Sequence, residues 1–308
     1  MTIFQFKQQS IKQLSASFNN SVTHSPALDV EILLSHFLRK TKTQLLMDAK
    51  QELEPSDLEK LNAAIEKRLT GLPIAYITGE KEFYGYTFHV TPDVLIPKPD
   101  TEILVENAVN EILEKIDAHP NSLLNVCDMC TGSGCIALAV LRVLADDYKI
   151  STEELPKFTL VDISDKALNV ARKNAEALLS EEEQSRVRFV RSNLFQIVPW
   201  KFDLILSNPP YIPHKMVDEL LLDGRNEPRL ALDGDVTISG DRAAENDGLE
   251  IISNLIPQAK DHLAHLGSMF METGEYNAEA TAEIGEGNGF RTEIIKDLEG
   301  QLRVVYFY

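Results

Sequence analysis

The most informative segment of the chain comprises Ser207, Asn208, Pro209, Pro210 and Tyr211. Its two consecutive prolines lie between the side-chain amide of Asn208 and the phenol of Tyr211. Prolines cannot continue a strand ladder or enter a helix interior, so the backbone here is rigid and extended. The Asn208 side chain and the Pro209 backbone each offer a carbonyl oxygen. Two fixed acceptors side by side suit an NH2 group, whose two hydrogens they can receive. The alternative is an ordinary loop turn.

A glycine-rich loop follows a predicted strand and opens a predicted helix. It comprises Asp128, Met129, Cys130, Thr131, Gly132, Ser133 and Gly134. The glycines let the backbone turn sharply and approach a ligand without an intervening Cβ. With the next three residues, the loop also satisfies the G-x-G-x-x-A pattern of dinucleotide-binding proteins, and a plain tight turn is a third possibility.

The acidic residue Asp162 ends the next predicted strand. A carboxylate at this point can accept hydrogen bonds from both ribose hydroxyls of an adenosine ligand. This role is shared by nicotinamide dinucleotides and S-adenosylmethionine, although the distance from the glycines is longer than the dinucleotide pattern expects. The competing interpretation is a helix-capping acid before Ser164 and Asp165.

The Asn-Pro-Pro-Tyr segment favours methyl transfer to nitrogen over the dinucleotide interpretation. An amide nitrogen is a poor nucleophile because its lone pair is delocalised into the carbonyl. Accepting both of its hydrogens orients the nitrogen and favours pyramidal geometry, which aims the lone pair at a sulfonium methyl group. The catalytic gain then comes from positioning and preorganised dipoles. Tyr211 could stack on the flat substrate group, and no nearby histidine or carboxylate pair indicates a general base.

The elements that must position these residues follow from hydrophobic periodicity. Residues 1–79 have apolar residues at helical spacing, and residues 82–96 are aromatic and β-like with a turn at residues 91–93. Helices and strands alternate after residue 101, which predicts an α/β fold with a doubly wound, mostly parallel sheet and an antiparallel edge. We expect a helical domain over residues 1–80, a β-hairpin linker over 81–97 and a sheet domain over 98–308. In such sheets, ligands bind beyond the carboxyl ends of the strands, where all three segments fall.

Composition and charge limit the classes of partner that the protein is expected to bind. The chain of 308 residues has 44% hydrophobic residues and a formal net charge of -18. Such a surface repels phosphate backbones, so we expect no stable nucleic-acid partner and a basic protein partner is easier to attract. No signal peptide and no apolar run near membrane-spanning length is evident, which predicts a cytoplasmic protein without a membrane partner.

The cysteines Cys127, Cys130 and Cys135 lie within nine residues of one another. The first two have C-x2-C spacing, which permits a metal interpretation, but a fourth ligand and a second cysteine pair are missing nearby. The favoured interpretation is that they are small apolar residues around a tight turn in a reducing compartment, without a metal.

Taken together, these segments resemble the release-factor glutamine N5-methyltransferases of the HemK/PrmC type. The resemblance covers nearly the whole chain, including residues 95–102 (Leu-Ile-Pro-Lys-Pro-Asp-Thr-Glu), the glycine loop, Asn-Pro-Pro-Tyr-Ile and residues 227–234 (Glu-Pro-Arg-Leu-Ala-Leu-Asp-Gly). It implies the class I S-adenosylmethionine-dependent methyltransferase fold and S-adenosylhomocysteine as product. The implied substrate is the Gly-Gly-Gln glutamine of bacterial class I release factors, which the N-terminal domain helps to dock.

The resemblance also implies roles for individual residues. The cofactor would be bound by Asp128, Cys130, Thr131, Gly132, Ser133, Gly134, Asp162, Asn193, Leu194 and Asn208. The substrate amide would be held by Asn208, Pro209, Pro210 and Tyr211, of which Asn208, Pro209 and Tyr211 would be catalytic.

Several residues depart from the family pattern. Cys130 replaces a common glycine, which predicts a turn without a positive φ, and Lys98 replaces an arginine, which weakens any bidentate contact. Leu194 occupies a position that can be aromatic, and Asn193 replaces an acid. Residues 223–248 predict a long loop, and residues 236–246 within it look like an insertion without an assigned role.

Other functions remain open on the sequence. A glutamine methyltransferase of a ribosomal protein would use the same catalytic segment. An adenine N6 DNA methyltransferase would need a basic target-recognition domain, and the first eighty residues are balanced in charge. An NAD(P)-dependent oxidoreductase leaves the Asn-Pro-Pro-Tyr segment unexplained. An adenosyl-binding scaffold without activity would be marked by the loss of Asn208, which is present.

Overall fold

The computed structural model describes residues 1–17, 25–120, 122–223 and 226–308. Its contacts divide the chain into two units, one of Met1–Glu80 with Glu219–Asn226 and one of Lys81–Asp218 with Glu227–Tyr308. Part of the predicted helical region, residues 18–24, and part of the predicted long loop, residues 224–225, lie outside the described residues. Within the described ranges, no helix is both long enough and apolar enough to cross a membrane.

The first unit is helical, as its periodicity predicts. Its helices are α1 (Ile3–Ser17), α2 (Pro26–Leu38), α3 (Lys42–Met47), α4 (Pro55–Leu69) and α5 (Ile74–Thr78). Their apolar stripes meet in one core around Phe6, Leu33 and Leu61. Helix α2 begins at a capped proline, because the Ser25 side chain accepts a hydrogen bond from the backbone nitrogen of Leu28. The predicted helical bundle is therefore confirmed.

A β-hairpin follows, formed by β1 (Glu80–Phe83) and β2 (Tyr86–His89). Its turn lies at Tyr84 and Gly85, whose φ angles are 51° and 78°. Positive φ at both central residues is what a two-residue hairpin turn requires, and a proline cannot adopt it. The hairpin is confirmed, and so is the turn at residues 91–93, which follows β2 and is separate from the central turn of the hairpin.

The second unit contains a mixed sheet. Within the described residues its strands are β3 (Asn125–Met129), β4 (Lys157–Asp162), β5 (Val187–Arg191), β6 (Phe202–Ser207), β7 (Leu263–Glu272), β8 (Thr292–Lys296) and β9 (Leu302–Phe307), in the order β5-β4-β3-β6-β7-β9-β8. The strands from β5 to β7 are parallel, and β9 runs antiparallel to both β7 and β8. The predicted mostly parallel sheet with an antiparallel edge is confirmed.

Helices cover this sheet through two apolar layers. Those that contribute residues to the layers are α6 (Glu102–Ala118), α7 (Cys135–Asp146), α8 (Asp165–Leu178), α11 (Glu250–His262) and α12 (Ala278–Gly287). Two further short helices are α9 (Glu181–Gln184) and α10 (His214–Leu220). One layer includes Leu104, Leu138 and Leu160, and the other includes Ile205 and Ile256. Helix α7 is buried along most of its length, which explains why its sequence is apolar on nearly every side.

Strand β3 lies between β4 and β6, where the chain changes direction across the sheet. The register aligns Met129 with Val161 on one side and with Ser207 on the other. The Ser207 hydroxyl also donates a hydrogen bond to the Met129 carbonyl at 2.8 Å. These contacts bring the loops after the central strands to one edge, where open α/β sheets bind ligands.

Candidate active site

A cavity of about 280 Å³ opens at the carboxyl ends of the central strands. The residues predicted from the sequence that line it are Cys130, Thr131, Gly132, Ser133, Asp162, Asn193, Leu194, Asn208 and Pro210. The remaining predicted residues, Asp128, Gly134, Pro209 and Tyr211, do not line it. The fold thus brings together segments from four strand ends in a space close to the size of small-molecule sites.

The glycine loop makes a sharp turn into α7. The φ angles of Cys130, Gly132 and Gly134 are 62°, 56° and 79°. The expectation that the Cys130 turn avoids a positive φ is therefore wrong, since the loop geometry imposes a left-handed backbone on a cysteine. A Cβ on Gly134 would lie 3.2 Å from methyl carbons of Leu138 and Leu160, so this glycine allows close packing of helix and strand.

Asp128 holds the loop from inside the protein. Its carboxylate accepts hydrogen bonds from the Thr131 hydroxyl at 2.6 Å and the Ala137 backbone nitrogen at 3.3 Å. The residue is fully buried, and burial raises the pKa of Asp128 to about 7. These contacts join the loop to the first turn of α7, so the structure places Asp128 behind the cavity as a support for the loop.

Asp162 faces the cavity and is also tied to the loop. Its two carboxylate oxygens accept hydrogen bonds from the backbone nitrogens of Gly132 at 2.9 Å and Ser164 at 2.8 Å. Burial raises the pKa of Asp162, and these backbone hydrogen bonds oppose that rise. Helix α8 is capped by the Ser164 side chain, which accepts from the Ala167 backbone nitrogen. Ser164, and not Asp162, is therefore the N-cap of α8, and Asp162 lines the cavity.

Asn208 follows β6 and lines the cavity with its side chain oriented by a neighbour. The Asn208 side-chain nitrogen donates a hydrogen bond to the Thr101 hydroxyl oxygen at 3.3 Å. Thr101 is 2% exposed and belongs to a short 3-10 helix, Pro99–Thr101, at the start of α6. Because the nitrogen is bound to Thr101, the carbonyl oxygen of the Asn208 amide is the atom left to accept a hydrogen bond from a ligand.

Tyr211 and Glu272 lie behind this segment. The Tyr211 hydroxyl donates to Glu272 Oε1 at 3.3 Å, and the Tyr211 carbonyl accepts from the Asn277 side chain at 3.1 Å. Burial raises the pKa of Glu272 to about 7, opposed by a hydrogen bond from Thr101 and by the nearby Arg303. Burial also raises the pKa of Tyr211 well above its ordinary value. Tyr211 therefore anchors the segment from behind, and its stacking on a substrate stays a prediction.

Two family models match the chain in separate ranges. The PrmC N-terminal domain matches residues 9–79, and the methyltransferase small domain matches residues 104–238. The release factor glutamine methyltransferase of Coxiella burnetii is 34% identical over 96% of this chain and 98% of that protein. The corresponding protein of Leptospira interrogans is 36% identical over 91% of this chain and 90% of its own length. This chain belongs to the release factor glutamine methyltransferase family.

Family membership confirms the resemblance stated from the sequence motifs and, with the sheet order, the class I S-adenosylmethionine-dependent methyltransferase fold. A relative from Rickettsia typhi, described as a bifunctional methyltransferase, is 34% identical over 97% of this chain. That alignment covers 57% of the relative, so the chain spans little more than half the length of this relative.

The cavity fits S-adenosylmethionine, the methyl donor of class I methyltransferases. No atom lies within 4 Å of a Cβ placed on Gly132, so a ligand can approach the loop backbone there. The Asp162 carboxylate accepts from the backbone nitrogens of Gly132, Ser164 and Ile163, and its two oxygens retain acceptor capacity for a ribose hydroxyl. The accessible loop backbone and the Asp162 carboxylate can therefore bind the polar groups of an adenosyl ligand.

Lys98 joins two segments that characterise the family. Its ammonium nitrogen lies 2.7 Å from Glu227 Oε1, and the Glu227 side chain is 4% exposed. Lys98 also lines the cavity. A lysine ammonium acts as a point charge where an arginine would present a planar fork. Sequence reasoning identified Lys98 only as a departure and missed Glu227 as its partner, although both residues lie in the two segments that carried the resemblance.

The insertion at residues 236–246 also reaches the cavity, which sequence reasoning did not predict. Val236, Thr237, Ile238 and Gly240 line the cavity beside Asn193. The Asn193 side-chain nitrogen donates a hydrogen bond to the Ile238 carbonyl at 2.8 Å. No local pattern in the sequence points to this contact, because the two residues are 45 positions apart.

The cysteines are free. Burial raises the pKa of Cys135 to about 12 and that of Cys127 well above its ordinary value, so both thiols are neutral. In the ranges that the structure describes, no group of three or more histidine, cysteine or acidic side chains could hold a metal ion. The burial of Cys127 and Cys135 agrees with the interpretation of these two cysteines as small packing residues.

Proposed function

We propose that this chain transfers a methyl group from S-adenosylmethionine to the side-chain amide nitrogen of a glutamine in a protein. The proposed substrate is the Gly-Gly-Gln glutamine of bacterial class I release factors. The observation that carries the proposal is the position of Asn208, which lines the cavity while its amide nitrogen is bound to Thr101. The names of the relatives from Coxiella burnetii and Leptospira interrogans support the choice of substrate.

The protein's contribution to the reaction is to orient the substrate nitrogen. We propose that the Asn208 carbonyl oxygen accepts one hydrogen of the substrate amide and that the Pro209 backbone carbonyl accepts the other. Pro209 does not itself line the cavity, but it lies between Asn208 and Pro210, which do. Pro209 is buried and Pro210 follows it, so this acceptor has little freedom to move. Binding both hydrogens turns the nitrogen lone pair away from the acceptors, which is the orientation that methyl transfer needs.

The polar network behind Asn208 keeps this orientation. The Thr101 hydroxyl accepts from Asn208 and donates to Glu272, which also accepts from Tyr211. Asn208 cannot rotate its amide by half a turn without losing the Thr101 hydrogen bond. The nitrogen loses its proton to solvent after or during transfer, and no charged base is assigned to it.

S-adenosylmethionine supplies a methyl group bonded to a sulfonium, and S-adenosylhomocysteine is the product. We propose that the loop of Cys130, Thr131, Gly132, Ser133 and Gly134, with Leu194, surrounds the cofactor and that Asp162 accepts its ribose hydroxyls. Asp128 and Gly134 contribute by holding the loop in place. Asn208 lines the same cavity as this loop, which supports the proposal that the substrate amide meets the cofactor there.

We propose that residues 1–80 dock the substrate protein, that residues 81–97 form the linker and that residues 98–308 catalyse the reaction. Support for docking comes from the exposed apolar side chains of Phe4, Leu46 and Met47 in the helical unit, which are 55%, 65% and 79% exposed. The Phe4 backbone nitrogen donates to the Ala49 carbonyl at 2.9 Å, so Phe4 lies near the segment that carries Leu46 and Met47. Clustered exposed apolar side chains are typical of protein interaction sites. The proposed location is the cytoplasm.

The test is label transfer from S-adenosylmethionine carrying a radioactive methyl group. Separate reactions contain a class I release factor, the same factor with its Gly-Gly-Gln glutamine replaced by alanine, a ribosomal protein pool, and duplex DNA. Label on the release factor that disappears with the glutamine is the expected result. Label on a ribosomal protein alone would move the target to that class. Label on DNA alone would contradict the amide mechanism, and it is disfavoured by the net charge of -18.

A further inference from the structure

The insertion at residues 236–246, which we name the flap, is a small ordered hairpin. Val236 and Arg242 form an antiparallel bridge at its base. Across the turn, the Thr237 backbone nitrogen donates to the Asp241 carbonyl at 2.8 Å, and the Gly240 nitrogen donates to the Thr237 carbonyl at 2.8 Å. Gly240 has a φ of 88°, which a tight turn at this position requires. The flap therefore has a defined conformation of its own.

The base of the flap is fixed to the rest of the second unit by one buried carboxylate. Asp235 is 0% exposed and accepts from the backbone nitrogens of His214 at 2.8 Å and Gly248 at 2.7 Å. The Ala243 nitrogen donates to the Asp235 carbonyl at 2.9 Å. Because Asp235 precedes the flap and Gly248 follows it, both ends are held at one point. The flap must then project from this point in a defined direction.

The tip of the flap is held over the cavity. The Ile238 carbonyl accepts the hydrogen bond from Asn193, and Val236, Thr237, Ile238 and Gly240 all line the cavity. The Asn193 side-chain nitrogen thus contacts the flap. Ile238 and Ile163 line the cavity and are 41% and 43% exposed, so both retain apolar area that a ligand could bury.

We propose that the flap forms one wall of the adenosyl site, with Ile238 packing against the purine and Asn193 latching the flap in place. This inference rests on the proposed function, because it requires S-adenosylmethionine or its product as the ligand. The faces of a purine are flat and largely apolar, and removing them from water against an isoleucine side chain is favourable. Asp162, the acceptor assigned to the ribose, lines the same cavity as Ile238 and Ile163.

The test is calorimetric titration of the full chain with S-adenosylhomocysteine. Ile238→Ser removes the apolar contact, and Asn193→Asp removes the donor while keeping an acceptor. An aspartate cannot donate to the Ile238 carbonyl and would repel it, so the flap loses its latch. We expect Kd to rise roughly tenfold in each variant, about what the loss of one good contact costs. Glu245→Gln is the matched control, since Glu245 is an exposed flap residue that does not line the cavity.

A second readout is amide hydrogen exchange across the flap. Ligand should slow exchange at residues 236–246 in the wild-type protein and have a smaller effect in Asn193→Asp. Thermal unfolding of the unliganded variants should match the wild type, because the substituted tip is largely exposed. If Asn193→Asp failed to fold, Ile238→Ser and the exchange measurement would decide the question.

Wild-type affinity in Ile238→Ser would overturn the proposed wall. Tighter binding by Asn193→Asp would overturn the latch, since residue 193 would then act on the ligand directly. Binding of neither S-adenosylmethionine nor S-adenosylhomocysteine by the wild-type protein would overturn the proposed function itself. If the wild-type protein and both variants bound S-adenosylhomocysteine equally well, the proposed function would stand and only the proposed role of the flap would be refuted.

Discussion

Glu272→Gln should change how the stability of the protein depends on pH. Glu272 lies at the end of β7 and is 2% exposed. The groups around its carboxyl offset only part of the cost of burying its charged form. The groups that act on its carboxyl are the Thr101 and Tyr211 hydroxyls, the Arg303 guanidinium and the Asp100 carboxylate. Burial is the dominant effect, and it raises the pKa of Glu272 from 4.5 to about 7.

The sign and size of the effect follow from proton linkage. The folded protein holds the proton to a higher pH than the unfolded chain, so the stabilisation is complete below about pH 4.5 and is lost as the pH rises through about 7. At about 1.4 kcal/mol per pH unit, the wild-type protein should lose about 2.5 kcal/mol of unfolding free energy through Glu272 between about pH 5 and about pH 8. Glutamine has no proton to lose, so the variant should not show this loss.

The assay is urea unfolding of wild type and variant at a series of pH values, followed by circular dichroism. The quantity to plot is the unfolding free energy of the variant minus that of the wild type. This difference should increase as the pH rises. Asp128, whose pKa is also raised to about 7, is common to both proteins and cancels in this difference. Glu275→Gln, an exposed site three residues later, should give a flat difference. A flat difference for Glu272→Gln would refute the proposed ionisation.

The remaining predictions concern the site and the docking unit. Asn208→Ala should lower kcat by roughly 100-fold while leaving S-adenosylmethionine affinity within a few fold, because it removes an acceptor for the substrate amide. Thr101→Val should lower kcat by roughly tenfold with unchanged cofactor affinity, since the Asn208 amide loses its orienting partner. Leu46→Lys combined with Met47→Lys should raise KM for a release factor and leave KM for a short Gly-Gly-Gln peptide unchanged. Gly134→Ala should lower unfolding free energy by about 2 kcal/mol, because it adds a Cβ at a left-handed φ against two leucine side chains.

Matched variants separate these effects from general damage. Asn169→Ala makes the same change as Asn208→Ala at an exposed position of α8 and should retain activity. Thr101→Ser restores the hydroxyl and should recover most of the rate lost in Thr101→Val. Gly132→Ala meets no atom within 4 Å, so it should cost less stability than Gly134→Ala. Near-normal turnover by Asn208→Ala would contradict the amide mechanism, and equal costs at the two glycines would contradict the packing argument.

Local chemistry made much of the fold predictable. Helical spacing of apolar residues located the bundle, and the alternation of apolar runs with turn residues located the parallel strands. The Ser25 cap of α2 is local in the same sense, because capping involves atoms within one helical turn. The glycine loop and the Asn-Pro-Pro-Tyr segment were recognisable because proline and glycine restrict or free the backbone at their own positions.

The errors arose where neighbouring structure overrides local preference. Cys130 adopts a φ of 62° because the loop must turn from β3 into α7, although a cysteine disfavours that region. The hairpin turn uses Tyr84 and Gly85, which places a bulky residue at a positive φ that propensity alone disfavours. In both cases the flanking elements determine the backbone path, β3 and α7 for Cys130 and β1 and β2 for Tyr84.

By itself, the sequence determined the order of elements, the mostly parallel sheet and the residues able to accept the hydrogens of an amide. These depend on residue type and on spacing within a few positions of the chain. Only the tertiary structure decided that Thr101 orients Asn208 from 107 positions away, and that the flap reaches Asn193 across 45 positions. Such contacts depend on how strand ends and loops converge in space, and no local pattern in the chain encodes that convergence.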